Sequence, residues 1–165
     1  MARRTERGAG ADERTAAAWA AYPQTVLELY TEPRARIDLR AEIDETGRRA
    51  LRSLGWPEMA VLTPANPCGE PRPAAENARR LTGLEQRLAD AGIRFVRVDG
   101  HAPDGSHCEP CVGIATSRED ALALARELEQ LALFHWDGAS FWLLGAAGPY
   151  SGVVERLPQP PVAAG

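Results

Sequence analysis

Short apolar runs of strand length alternate with longer amphipathic segments through the middle of this chain. Residues 59–63, 112–115 and 131–136 are dense in apolar side chains, whereas residues 73–91 and the segment after Ser117 carry theirs at helical spacing. Periods near 2 and 3.6 predict a mixture of strands and helices. Strands and helices do not alternate strictly enough for a doubly wound fold. We therefore expect an α+β (mixed α/β) domain, with a mixed, largely antiparallel sheet and two long helices packed on it.

Apolar patterns and turn-forming residues predict further strands and a helix before and after this region. Residues 25–30 have strand-like apolar density, and Ile37 and Leu39 alternate with charged residues as in a hairpin partner. A helix over residues 45–54 should stop at Gly55, because glycine accepts the left-handed backbone that ends many helices. Asp137-Gly138 is a favoured tight-turn pair. It predicts a closing hairpin from residues 131–136 and 141–144.

Length and composition predict a single domain. The chain has 165 residues, of which 44% are apolar, which is enough for one hydrophobic core. Residues 1–15 are charged and Gly-rich, and residues 149–165 are rich in proline. Such segments bury too little apolar surface to offset chain entropy. We expect a disordered N-terminal tail over 1–15, a globular domain over 16–148 and a Pro-rich C-terminal tail over 149–165.

Charge and hydropathy narrow the range of partners. The formal net charge of -4 argues against a non-specific nucleic-acid footprint. No apolar run approaches the ~20 residues that a membrane span needs, and the N-terminus lacks the apolar core of a signal peptide. The sequence therefore predicts a cytoplasmic protein without membrane or nucleic-acid partners.

The basic side chains exclude several mechanisms. All 19 of them are arginine, and lysine is absent. A Schiff base, a pyridoxal-phosphate anchor and a Walker-type phosphate loop each require a lysine amine. We expect no cofactor of these kinds, and no motif in the chain indicates any other cofactor.

The motifs occur in an order that resembles a known bacterial family. They are Trp19-Ala-Ala-Tyr22, Asn66-Pro67, Glu76-Asn77, Asp104-Gly105 with Glu109-Pro110, and Asp137-Gly138. Together they are similar to the family catalogued as domain of unknown function 3293, over most of the chain from Trp19 to Leu144. The resemblance implies a small standalone bacterial cytoplasmic domain without an assigned biochemical role.

Polar residues at the ends of the predicted strands and helices form a candidate site. Glu109 lies in a loop before a strand, where a carboxylate can act as a general base or pair with a charged ligand, and it is the candidate catalytic residue. The candidate ligand-binding residues are Asn66, Glu76, Asn77, Arg80 and Gln130. Arginine would bind an anionic group.

Each of these residues also has a structural interpretation. Asn66 before Pro67 is typical of a turn, because asparagine tolerates left-handed backbone geometry. Glu76 and Asn77 can stabilise the start of a helix. Gln130 can cap exposed carbonyls at a helix end.

The cysteines offer a weaker metal hypothesis. Cys108 and Cys111 have the spacing of half a zinc knuckle, and Cys68 with His107 could complete four ligands. The second Cys-x-x-Cys or His pair of a zinc ribbon is missing. We therefore expect no metal and unpaired thiols.

Two functional hypotheses follow from the sequence. The first is a site for a small polar or anionic ligand, with or without catalysis. The second is a non-catalytic protein-interaction or dimerisation module, in which the aromatic hairpin Phe134, Trp136, Phe141 and Trp142 would be exposed. A homodimer belongs to this second hypothesis.

Overall fold

An antiparallel sheet of eight strands runs through the whole domain. The computed structural model describes residues 3–160. The strands are β1 (Val26–Leu29), β2 (Ala35–Asp38), β3 (Met59–Leu62), β4 (Phe95–His101), β5 (Cys108–Ile114), β6 (Ala132–Trp136), β7 (Phe141–Gly145) and β8 (Val154–Leu157). Their order across the sheet is β2-β1-β4-β5-β3-β6-β7-β8. Every pairing between these described strands is antiparallel. The α+β prediction is therefore confirmed, and no parallel pair occurs among the described strands.

Four α-helices accompany the sheet over the described residues. They are α1 (Arg3–Ala21), α2 (Glu45–Leu54), α3 (Ala74–Asp90) and α4 (Arg118–Glu127). Local signals set their ends. The Asp44 carboxylate accepts a hydrogen bond from Gly47 N at 2.8 Å at the start of α2, and Gly55 ends that helix with φ of 69°. Ser117 caps α4 through Asp120 N at 3.2 Å. The predicted stop at Gly55 is therefore confirmed.

Helices α3 and α4 pack on one face of the sheet. Leu84 and Leu88 of α3, with Ala121 and Ala125 of α4, share a buried cluster with Leu133 of β6. The prediction of two helices packed on the sheet is therefore confirmed. Val61 of β3 belongs to the cluster on the other face. The reason is strand alternation, because its neighbours Ala60 and Leu62 occupy the helix-covered side.

The other face of the sheet is concave. Leu27 of β1 lies in the same buried cluster as Leu157 of β8, although these strands belong to opposite halves of the sheet. Leu51 of α2 also lies in this core, and Trp19 near the end of α1 packs against it. The sheet therefore curls around a second core, which α2 and the end of α1 help to close.

Regular structure extends into both segments that composition assigns to tails. Helix α1 begins at Arg3, because alanine, arginine and glutamate have high helix propensity. Strand β8 pairs with β7 over residues 154–157. Residues 1–2 and 161–165 lie outside the described part of the chain. Within residues 3–160, no helix combines the length and apolar character that crossing a bilayer requires.

Candidate functional site

A cavity of about 910 Å³ opens beside the concave face of the sheet. One wall is formed by α1 and the turn at Tyr22–Gln24, and a second by the loop over residues 65–70. Gly100–Pro103 and Glu109 of the β4–β5 hairpin contribute a third wall, and residues 147–149 a fourth. This volume lies in the range of pockets that hold drug-sized molecules, which is about 300–1,000 Å³.

Aromatic contacts fix the end of α1 over this cavity. The rings of Trp19 and Tyr150 are parallel, with centroids 4.3 Å apart. Tyr22 meets Phe134 edge-on at 6.1 Å, and both Tyr22 and Phe134 line the cavity. Such aromatic pairs contribute about 0.5–1.5 kcal/mol beyond their buried area. The wall that α1 provides is therefore anchored to the body of the domain at its C-terminal end.

Asn66 is held in a defined orientation at the cavity wall. Its backbone is left-handed, with φ of 48°. Its Oδ1 accepts hydrogen bonds from Arg72 N and Asn77 Nδ2, both at 2.9 Å. The Asn66 side chain also lies close enough to Glu109 to favour its ionised form. Since Oδ1 already has two donors, the amide NH₂ is the group that remains to interact with the Glu109 carboxyl.

Glu109 brings a partly buried carboxyl group to the cavity. Burial raises the pKa of Glu109, while the positive charge of a protonated His107 and the nearby Asn66 side chain act in the opposite direction. The carboxyl group therefore holds its proton at higher pH than an exposed glutamate does. Such a group can accept hydrogen bonds, pair with a cation or exchange a proton with a ligand.

Tyr22 and Cys111 surround Glu109 with neutral groups. Burial raises the pKa of Tyr22 to about 12, and the nearby Glu109 charge adds to this shift. Burial also raises the pKa of Cys111 well above its usual range. The Cys111 thiol donates to the Glu109 backbone oxygen, with Sγ and O 3.4 Å apart. Both groups are protonated at neutral pH, so neither is an activated nucleophile.

Gln130 closes another part of the cavity wall. It is buried, and its Nε2 donates to Ala65 O at 2.9 Å and to Leu128 O at 3.2 Å. Both amide hydrogens are therefore used by the backbone. Among residues 10–160, no donor bonds the Gln130 Oε1 atom, although the residue lines the cavity. Gln130 thus combines the capping role with an oxygen that is free to accept a hydrogen bond.

Strained backbone is concentrated around this cavity. Asn66, Cys68 and Glu129 have φ values of 48°, 59° and 56°, and they are the non-glycine residues with positive φ in the described chain. All three line the cavity. Cys68 N also donates to Glu129 O at 2.8 Å, which ties the loop to the end of α4. Such conformations cost about 1–3 kcal/mol each and persist only where surrounding contacts hold them.

The structure does not bring all candidate residues to the cavity. Asn77 lies behind Asn66 and acts on it by hydrogen bonding. Glu76 and Arg80 pair with each other at 3.3 Å and are not among the lining residues. The reason is that α3 packs on the opposite face of the sheet. Asn66, Glu109 and Gln130 are the predicted site residues that share the cavity.

The cysteines do not converge as the metal hypothesis requires. Cys108 and Cys111 lie on the same strand at an odd spacing, so their side chains point to opposite faces of the sheet. Cys108 is exposed, Cys111 is buried, and Cys68 lies in the loop after β3. In the described part of the chain, Cys68, His107, Cys108 and Cys111 form no common ligand group.

The aromatic hairpin does not provide an exposed surface. Phe134, Trp136 and Phe141 are 8%, 7% and 1% exposed. Trp142 is partly buried, and its Nε1 donates to Asp137 Oδ2 at 2.8 Å. Ile93 and Val154 are the large apolar residues that are exposed among those described. The aromatic residues of the hairpin therefore serve the cores.

Comparison with known proteins identifies the family. Residues 62–133 match the model of a family described as protein of unknown function (DUF3293). This segment belongs to the DUF3293 family. The match is shorter than the expected span from Trp19 to Leu144, and it contains Asn66, Asn77, Glu109 and Gln130. No curated protein and no solved structure is significantly similar to the chain. DUF3293 membership confirms the sequence resemblance and carries no assigned activity.

Proposed function

We propose that the cavity binds a small organic molecule that has an apolar body and a cationic or hydrogen-bond-donating group. The observation that carries this proposal is the Glu109 carboxyl, which is partly buried in the cavity wall beside the neutral Tyr22 and Cys111. The side chain of Asn66, whose orientation Asn77 fixes, lies beside it. A buried charge without a cationic partner is unfavourable, and a ligand cation offsets that cost.

The lining supports this choice of ligand. Val61, Phe134 and the ring of Tyr22 offer apolar and aromatic surface near the carboxyl group. An anionic group beside Glu109 would meet its negative charge, and Arg80 does not line the cavity. The arginines that do line it, Arg14 and Arg126, share the lining with the carboxylates of Glu70 and Glu129. We therefore replace the expected anionic ligand with a cationic or donor-rich one.

Catalysis at the same site is a separate hypothesis. A carboxyl group with a raised pKa suits general acid–base chemistry, because its proton is exchanged nearer to neutral pH. The assignment of Glu109 as a catalytic residue stays a prediction. The interaction-module hypothesis has no comparable support, since the aromatic side chains that it needs are buried.

Benzamidine is a suitable probe for the ligand proposal. Its amidinium group can pair with a carboxylate through two hydrogen bonds, and its ring matches the apolar lining. We expect benzamidine to perturb the amide NMR signals of residues around Glu109, and benzoate to leave them unchanged. Binding should weaken about tenfold to a hundredfold in Glu109→Gln, because hydrogen bonds to charged groups contribute about 1.5–3 kcal/mol.

The matched control is Glu42→Gln, which removes an exposed carboxylate elsewhere in the domain. This variant should bind benzamidine as the parent does. Equal affinity of the parent and Glu109→Gln, or perturbations remote from the cavity, would contradict the proposal.

A further inference from the structure

A second polar cluster lies on the β4–β5 hairpin and includes His101, which also borders the cavity. His101 and Cys108 are directly paired across β4 and β5, so their side chains project to the same side. Asp99 precedes His101 by two residues and therefore also projects to that side. The metal-binding atoms of Asp99, His101 and Cys108 all lie within 4.8 Å of one another. A carboxylate, an imidazole and a thiol are thus grouped on one sheet surface.

A neighbouring carboxylate orients the imidazole of this cluster. Glu28 Oε2 lies 3.1 Å from His101 Nε2. A neutral imidazole that donates its Nε2 hydrogen to Glu28 leaves Nδ1 as the atom that can bind a metal ion. Histidine ligands in metalloproteins typically donate their other ring nitrogen to a carboxylate or carbonyl in this way.

The cluster also carries an unfavourable pairing of negative charges. Glu28 and Asp99 are directly opposite each other on β1 and β4. Like charges at such positions destabilise a sheet. The Asp99 carboxylate accepts a hydrogen bond from the neutral Tyr30 hydroxyl at 2.6 Å. Arg97 approaches Asp99 at 3.3 Å and Arg34 approaches Glu28 at 3.6 Å, but the side chains of both arginines are more than half exposed. Asp99 itself is 4% exposed, so water screens its charge poorly. A bound cation would relieve this repulsion at the buried carboxylate.

The donor set indicates the class of cation. Thiolate and imidazole ligands favour zinc-like ions over magnesium or calcium, which prefer oxygen alone. Three protein ligands leave a fourth tetrahedral position for water or an added ligand. We propose that Asp99, His101 and Cys108 bind a zinc-class divalent cation, with Glu28 orienting His101. On binding, the Cys108 sulfur forms a bond to the metal and its proton passes to the solvent, without any redox change.

Cobalt titration of the full chain tests the site. After treatment with a chelator, the protein should bind a single equivalent of Co²⁺ with the absorption band of a thiolate-to-cobalt transition, and Zn²⁺ should abolish the band. Cys108→Ser should lose the band. Glu28→Gln should keep it with about tenfold to a hundredfold weaker affinity, as is typical when an outer partner is removed.

Cys68→Ser is the matched control, because Cys68 is also exposed but lies in the loop after β3. Its band should equal that of the parent. Circular dichroism should show that Cys108→Ser is folded, and His101→Ala provides a second variant that should lose the band. A parent without the band, or a band that survives Cys108→Ser, would overturn the proposal.

Discussion

Asn77 holds Asn66 through a reciprocal pair of hydrogen bonds. The Asn66 backbone N–H donates to Asn77 Oδ1 at 3.0 Å, and Asn77 Nδ2 donates to Asn66 Oδ1 at 2.9 Å. This pair joins the first turn of α3 to the loop that carries Asn66 beside Glu109. Asn77 is therefore a positioning residue, which acts on the cavity without lining it.

Replacing Asn77 by alanine should destabilise the fold by about 1–3 kcal/mol, because two partly buried hydrogen bonds are lost at about 0.5–1.5 kcal/mol each. Urea unfolding measures this change. Arg79→Ala, at an exposed position of the same helix, should stay within about 0.5 kcal/mol of the parent. Equal stabilities of the two variants would show that the pair does not hold the loop.

The raised pKa of Glu109 predicts a pH-dependent difference between the parent and Glu109→Gln. The stability that Glu109 contributes is complete below its unfolded pKa, and it is lost as the pH rises through the raised folded pKa. Glutamine cannot ionise, so the free energy of unfolding of the variant should rise relative to that of the parent over that pH window. The variant should be at least as stable as the parent at neutral pH. Urea unfolding of both proteins between about pH 4 and pH 8 gives the difference. If the variant loses stability relative to the parent as the pH rises, the pKa of Glu109 is not raised in the folded protein.

The two helices on the convex face should respond unequally to truncation. Leu84 of α3 is 4% exposed, so Leu84→Ala should cost about 2–5 kcal/mol. Leu122 of α4 is only partly buried, and Leu122→Ala should cost less. Ile93→Ala, at a position that is 39% exposed, serves as the control for removing a large side chain at the surface. Thermal or urea unfolding should show the largest loss of stability for Leu84→Ala, a smaller one for Leu122→Ala and the smallest for Ile93→Ala. A larger loss for Leu122→Ala than for Leu84→Ala would show that Leu122 lies on the buried face of α4.

Gly145 should not tolerate a side chain. A Cβ atom there would overlap the backbone oxygen of Tyr150, whose ring stacks on Trp19. We expect Gly145→Ala to shift this turn and destabilise the domain by about 1–3 kcal/mol. Gly83→Ala in α3 meets no atom within 4 Å and should stabilise the domain by up to about 1 kcal/mol. Paired melting curves distinguish these opposite signs, and a neutral Gly145→Ala would mean that the turn moves at little cost.

Local periodicity predicted most of the secondary structure because the signals lie within single segments. The helix stop at Gly55 is an example. The face to which each β3 residue points could not be predicted, because β3 is buried on both sides and its apolar residues show no alternation. Strand β8 was missed because only Leu157 of its four residues is buried.

The candidate site could be predicted only in part. Asn66 and Glu109 come together because β3 and β5 are neighbours in the sheet. Asn66 lies in the loop after β3, and Glu109 lies near the start of β5. No local signal links Tyr22 to Glu109, since the sheet topology alone brings α1 to this wall. The cluster of Asp99, His101 and Cys108 depends on the cross-strand register of β4 and β5, which the sequence does not specify.

The β4–β5 hairpin places Glu109 in the cavity and its neighbour Cys108 on the opposite face. Successive residues of a strand alternate sides, so inserting or deleting one residue inside β5 would turn Glu109 outward and Cys108 inward together. A change of two residues would restore both orientations. Tolerance to length changes in this strand should therefore follow the parity of the change, and a single codon lost here would disable two surfaces at once.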